Sequence, residues 1–310
     1  MPLVPSARRA HLLVVLALAC AALSCGGSEV GSANPTAPSP LSALVLAAEG
    51  GSAVLVGAGD IAQCGSAGAE KTAKLLDGIA GTVFAAGDNA YVNGSAADYR
   101  DCYQPNWGRH RSRTRPVPGN HEYQTPNAAG YFEYFGGSAG PAGLGYYSYT
   151  LGSWRILALN SEVPVDASSA QLQWVRDQLT NDPHQCTAVY WHRPLFSSGR
   201  NGPSADMQPL WRVLYSLGVD IVINGHDHVY ERFSPQTPDG RPDPLNGIRQ
   251  FTVGTGGAPT YDIPGRAANS EVAASVWGVA SFTLQSDRYT WAFIPVDGEA
   301  FRDSGTGMCH

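Results

Sequence analysis

The stretch Thr82-Val83-Phe84-Ala85-Ala86-Gly87-Asp88-Asn89-Ala90-Tyr91 decides the fold. Five residues, apolar apart from the first, run straight into Gly-Asp, with a tyrosine three residues further on. A short apolar run closed by Gly and Asp reads as a buried strand ending in a turn. The same grammar recurs along the chain. Ala53 to Ala58 leads into Gly59-Asp60, Thr187 to Trp191 into His192, and Val219 to Ile223 into Gly225-His226-Asp227-His228. Gly119-Asn120-His121-Glu122 is a fifth segment of this kind. Near-continuous apolar strands suit a sheet covered on both faces.

Amphipathic stretches lie between the strands. Ala67 to Leu76, Ser168 to Leu179 and Asp206 to Leu217 place their apolar residues at helical spacing. Strands alternating with helices predict an α/β core. Tyr146 to Asn160, around Gly152-Ser153, and Ser281 to Ile294, around Ser286-Asp287, read as β-hairpins. The expected architecture is two mixed β-sheets sandwiched between helices, in four layers α/β/β/α. In α/β sheets ligands bind beyond the carboxyl ends of the strands, and that is where these segments fall.

A lone Gly-Asp is a turn, and a lone histidine on a buried strand is a core residue. Five such segments in one domain call for another reading. Together they supply two Asp, one Tyr, one Asn and three His as metal-binding residue types, with His121 beside the Asn. Two histidines two residues apart on extended chain point to one side, so His226 and His228 can face one cleft. This donor set suffices for two metal ions, and a metal pair can clamp the attacking and leaving oxygens of a phosphoryl transfer. Phenolate and carboxylates suit a hard trivalent ion, whereas imidazole and an amide oxygen suit zinc, iron(II) or manganese.

The ordered motifs resemble those of calcineurin-type metallophosphoesterases, and within them the purple acid phosphatase branch. The resemblance covers roughly Val54 to Pro295 and rests on Gly87-Asp88-Asn89-Ala90-Tyr91 and Gly225-His226-Asp227-His228-Val229-Tyr230-Glu231-Arg232. It implies that Asp60, Asp88, Tyr91 and His228 hold a ferric ion. Asp88, Asn120, His192 and His226 would hold a divalent zinc, iron or manganese, with Asp88 bridging. It also implies in-line attack on phosphorus by a metal-held hydroxide, with His121 facing the phosphate. Two departures stand out. Ala62 occupies a position that carries a histidine in much of the wider superfamily, so the first site relies on Tyr91. Phe196 to Gly202 lacks the histidine that protonates the leaving group in several relatives. His121 is then the candidate acid, and Arg200 and Asn201 are candidate contacts for substrate oxygens. Phosphomonoesters are the expected substrates. Phosphodiesters, cyclic nucleotides included, and a surface lipoprotein that binds phosphate or metal without turnover are the alternatives.

The N-terminus reads as an export signal. Arg8 and Arg9 precede an apolar run from Leu12 to Leu23 and then Ser24-Cys25-Gly26-Gly27. That run is shorter than the about 20 residues needed to span a bilayer. Cys25 resembles a bacterial lipid-attachment cysteine, with simple secretion as the alternative. Residues 1–24 are thus expected to be a signal peptide, 25–50 a Ser/Pro/Gly/Ala-rich tether, and 51–310 the catalytic domain. Four cysteines remain after export, Cys64, Cys102, Cys186 and Cys309. They suggest two disulfides with three possible pairings, of which Cys64–Cys102 and Cys186–Cys309 is favoured. The net charge of −6 argues against broad electrostatic binding of nucleic acid or of anionic membrane. Membrane association is expected only through the lipid anchor.

Overall fold

The computed structural model describes residues 51–310. The expected signal peptide, Cys25 and the whole expected tether lie outside the described residues.

Two sheets form the frame. The first runs in the order β13-β12-β11-β1-β2-β3 and the second in the order β10-β8-β9-β7-β6-β5-β4. The strands in chain order are β1 Ala53–Ala58, β2 Thr82–Ala86, β3 Thr114–Val117, β4 Tyr147–Leu151, β5 Trp154–Ala158, β6 Thr187–Tyr190 and β7 Ile221–Asn224. They continue as β8 Tyr230–Phe233, β9 Arg249–Val253, β10 Ser270–Ala274, β11 Gly278–Leu284, β12 Arg288–Pro295 and β13 Asp303–Met308. Strands β1, β2 and β3 pair in parallel, as do β5, β6, β7 and β9. The hairpins β4–β5 and β11–β12 are antiparallel. Both sheets are therefore mixed, as expected.

Burial on both faces explains why the central strands read as apolar runs. Alternate residues of β5 to β7 split between two cores. Ile156, Ala158, Ala188, Tyr190, Ile221 and Ile223 join the core that also holds Val83, Phe84 and Phe282 of the first sheet. Leu157, Val189 and Val222 face the other way. There they meet Leu172, Val175 and Leu179 of one helix, Ala170–Asn181, and Leu210, Val213 and Leu214 of another, Gln208–Ser216. The hydroxyl of Ser169 accepts the amide of Leu172 and caps the first of these. A further helix, Gly68–Asp77, buries Ala69, Ala73 and Leu76.

Disulfides join Cys64 to Cys102 and Cys186 to Cys309. This is the favoured pairing. Among the described residues no helix is long and apolar enough to cross a membrane.

Candidate metal centre

The carboxyl ends of β1, β2, β3, β6 and β7 converge where the two sheets meet. Here the backbone leaves the strands in unusual conformations. Asp60, Asp88 and His226 all have positive φ, at 58°, 48° and 72°. L-residues adopt this region at a cost of roughly 1–3 kcal/mol each, and such strain gathers at functional sites. Gly119 lets the β3 loop approach, because a Cβ there would lie 2.3 Å from Asp88 Oδ1.

These turns aim the predicted side chains at one another. The Tyr91 phenol oxygen lies 2.9 Å from Asp60 Oδ1, 3.2 Å from Asp88 Oδ2 and 3.0 Å from His228 Nε2. His228 Nε2 is 3.2 Å from Asp60 Oδ1. His192 Nε2 is 3.1 Å from Asp88 Oδ2 and 3.2 Å from His226 Nδ1. Asp88, His192 and His226 each present a ligand atom within 4.8 Å of the others. Asp88 thus belongs to both groups. Asp60 and His192 are fully buried, and Asp88 nearly so.

The remaining ring nitrogens fix which atoms face the centre. Nδ1–H of His192 donates to the Ala86 carbonyl at 2.9 Å, and Nδ1–H of His228 to that of Pro259 at 2.6 Å. Their Nε2 atoms are left to face inward. Backbone carbonyls commonly orient metal-binding histidines in this way.

The ionisation of the cluster has clear physical causes. Burial opposes a charge on His192, but Asp88 beside it wins and lifts the imidazole up to about 10. Burial alone would raise the Asp88 carboxyl, yet His192 holds it well below the usual carboxylate range. Burial, then His192, push His226 down to about 3. Burial, then Asp60 and Asp88, push the Tyr91 phenol far up. Burial disfavours a charged His228, but Asp60 more than compensates and raises it.

Two observations test whether these residues fit metal ions. Asn120 Oδ1 is buried and makes no hydrogen bond. An amide oxygen held out of water without a donor costs about 1–3 kcal/mol, and a cation would satisfy it. The donor set itself, carboxylates and a phenol on one side, imidazoles and an amide on the other, matches a hard ion beside a borderline one. The residues fit the pair.

His121 stands beside this cluster. Its backbone N–H donates to Asp88 Oδ1 at 2.8 Å. Its Nδ1–H donates to the Val92 carbonyl, and its Nε2 lies 3.8 Å from Asp88 Oδ2. Asn201 does something else: its side chain donates to the His226 carbonyl at 2.6 Å and its N–H to Asp227 Oδ1 at 2.7 Å. It braces the His226 turn. The Arg200 guanidinium sits 5.6 Å from the Tyr261 ring centre, and Tyr261 stacks on His228 with ring centres 4.1 Å apart.

Sequence reasoning assigned no role to several neighbours. Glu122 is fully buried and gathers the N–H groups of Asn89 at 2.8 Å, Ala90 at 3.2 Å and Gly119 at 2.7 Å. It also accepts the Tyr99 hydroxyl at 3.1 Å. Burial and then Asp88 push it up to about 8. It ties the Asp88 loop to the Asn120 loop. Arg193, directly after His192, pairs with Glu162.

Such a centre on such a frame defines a metallophosphoesterase. The family model for calcineurin-like phosphoesterases matches residues 46–230, and the chain belongs to that family. Within it the chain is 27% identical over 261 residues to purple acid phosphatase 15 of Arabidopsis thaliana, covering 71% of this chain and 48% of that one. It is 28% identical over 148 residues to acid phosphatase type 7 of Danio rerio, covering 38% and 33%. The chain spans about half the length of the first of these relatives. Among solved structures it resembles the purple acid phosphatase PPD1 of yellow lupin (Lupinus luteus) seeds, with a TM-score of 0.72 at 20% identity over 82% of this chain and 53% of that one. It also resembles GAP50, the anchor in the inner membrane complex of Plasmodium, with a TM-score of 0.67 at 15% identity, covering 84% and 89%. At these identities the structural likeness is one of fold.

Proposed function

We propose that the protein is an exported phosphomonoesterase with two metal ions. Asp60, Asp88, Tyr91 and His228 would hold a ferric ion. Asp88, Asn120, His192 and His226 would hold a divalent zinc, iron or manganese. The observation that carries the reading is the sharing of Asp88 between two donor groups, with Asn120 Oδ1 unpartnered beside them. When bound, a metal pair supplies the positive charge that neutralises phosphoryl oxygens and a water of lowered pKa as nucleophile.

The protein's own part is positioning and proton handling. The buried carboxylates and the carbonyls of Ala86 and Pro259 lock the ligand rings before any substrate arrives. His121 is the proton donor or charge stabiliser. With Nδ1–H spent on the Val92 carbonyl, Nε2 is the atom left to meet a leaving oxygen. Arg200 stands as a candidate substrate contact near the first group, whereas Asn201, with its side chain spent on the His226 carbonyl, serves as a brace. The two disulfides support an extracytoplasmic location. A lipid anchor at Cys25 is the proposed tether, and no membrane contact beyond it is proposed.

The test is metal analysis and a phosphoester panel on wild type and His121→Ala. Two metals per chain and preference for monoesters are expected. The variant should keep its metals and lose about 10²–10⁴-fold in kcat on alkyl phosphates. The loss should be smaller on an aryl phosphate whose phenolate leaves unaided. Equal losses on both would make His121 a charge stabiliser. Loss of bound metal in the variant would make it a ligand instead. Preference for diesters, or no turnover at all, would overturn the proposal.

A further inference from the structure

A cavity of about 940 Å³ opens beside the metal centre, and Arg193 belongs to both. Glu162 holds the guanidinium by two bonds, accepting Nε–H at 2.9 Å and an Nη2–H at 3.2 Å. Glu162 is itself fixed, since its N–H donates to Asn160 Oδ1 at 2.9 Å and its carboxylate accepts the Ser161 hydroxyl at 3.0 Å. Arg193 Nη1 is the free arm of the fork, and it lies 3.4 Å from His226 Nε2.

That last contact cannot persist once His226 serves as a ligand. Its Nδ1 is the nitrogen that faces His192, 3.2 Å away. A ring that gives its Nδ1 lone pair to a cation carries its proton on Nε2. Nε2 then becomes a donor, and so is Nη1. The guanidinium needs another acceptor at that spot, and Glu162 is already engaged on the other two nitrogens. An anionic oxygen brought to the centre meets the need, and a guanidinium is suited to phosphate oxygens.

Arg193 also lines the cavity, together with Glu162. The cavity's size matches pockets that take small ligands. Glu162, Asp166 and Asp206 line it, and Arg193 is its sole Lys or Arg side chain. Such walls suit a neutral alcohol of sugar or nucleoside size and disfavour one that carries further phosphates.

We propose that Arg193, oriented by Glu162, grips a phosphoryl oxygen of the substrate, and that the cavity beside it receives the alcohol half of the ester. The proposal rests on the phosphatase reading given above. It extends that reading to a residue whose position follows from the loop after β6.

Calorimetry with inorganic phosphate on the metal-loaded protein tests the grip without turnover. Arg193→Ala should bind phosphate about 10–100-fold more weakly with its metal content unchanged. Arg193→Lys should recover part of the loss, because a point charge replaces a fork. Unchanged phosphate affinity in Arg193→Ala overturns the assignment. Ala205→Trp, in the cavity wall, tests the pocket. It should raise KM for a naphthyl phosphate several-fold while leaving inorganic phosphate affinity as in the wild type. No change in KM, or an equal loss of phosphate affinity, overturns the pocket. Wild-type turnover of a nucleoside triphosphate matching that of the naphthyl ester contradicts the proposed alcohol class. A wild type that binds neither metal nor phosphate defeats the phosphatase reading itself. Normal wild-type binding with an inert Arg193→Ala defeats this inference alone.

Discussion

Tyr91→Phe isolates one proposed ligand by counting protons. The Tyr91 phenol is buried beside two carboxylates and sits far above its ordinary value of about 10. It therefore keeps its proton throughout the range from about pH 5 to 9. To serve as a phenolate ligand it must release that proton when metal binds. His192, lifted to about 10, must release another. His226, pushed down to about 3, releases none. His228 is raised by Asp60 and gives up any proton that it carries. The wild type should thus release at least about two protons at pH 7 as both sites fill. The deprotonated forms bind, so affinity strengthens as pH rises. The phenol alone contributes a factor of about ten per pH unit, or about 1.4 kcal/mol. Tyr91→Phe keeps the ring's packing and removes this one proton. Calorimetry in buffers of different ionisation enthalpy between pH 6 and 8, with ferric ion delivered as a weak chelate, gives the count. The variant should release one proton fewer than the wild type, and a visible charge-transfer band of the ferric protein should bleach. An equal proton count in the two proteins would refute the reasoning. It would leave Tyr91 as a hydrogen-bond donor to Asp60.

The other expectations concern the bridge and the frame. Asp88→Ala should empty both sites, because the carboxylate serves both donor groups, and a variant with two metals per chain would remove the bridging role. Asp303→Asn should cost about 1–3 kcal/mol and lower Tm by roughly 2–12 °C, because Arg232 loses one of its two carboxylate partners, keeping Glu271, and the Tyr230 hydroxyl loses a charged acceptor. Burial would raise Asp303, but the bonds from Arg232 and Tyr230 hold it below its ordinary value. Its contribution is therefore complete at neutral pH and fades as pH falls below about 4, where wild-type and variant melts should converge. Cys309→Ser opens a loop that spans 123 residues and should cost about 4–5 kcal/mol, read by denaturant melts with and without reductant. Equal melts in the two conditions would show that the bond adds nothing.

The sequence exposed the frame where strands are buried on both faces, and hid it where they are not. Strands β6 and β7 read as apolar runs because each face meets a separate core, and β1 and β2 because both of their faces are buried within the first core. Strand β3 reads Thr-Arg-Pro-Val and sits at a sheet edge, where a proline is tolerated. Strand β13 carries almost no apolar residue. It pairs with β12 because Gly305 leaves room for the Trp291 ring opposite it, which a Cβ would meet at 2.3 Å. That partnership belongs to the other strand and leaves no periodicity in β13 itself.

The same asymmetry divides the site. Its candidate ligands stood out because metal-binding residue types recur together at strand ends, in five segments of one domain. The groups that hold those ligands did not, because their partners are mostly backbone atoms far away in sequence. Glu122 is one letter in a recognisable motif, yet its work is to accept three amides from loops about 30 residues apart. A backbone N–H carries no side-chain signature, so nothing near Asn89 or Gly119 announces the need for a carboxylate. Arg193 is hidden in another way. It reads as a solvated charge after a buried histidine, and only the chain's return through Asn160-Ser161-Glu162 turns it toward His226. Donor types are thus written locally, whereas their orientation is written in contacts between segments. Substrate choice depends on the second kind of information, which is why the candidate metal donors are legible in the letters, whereas the alcohol half of the proposed ester is sought in the cavity beside Arg193.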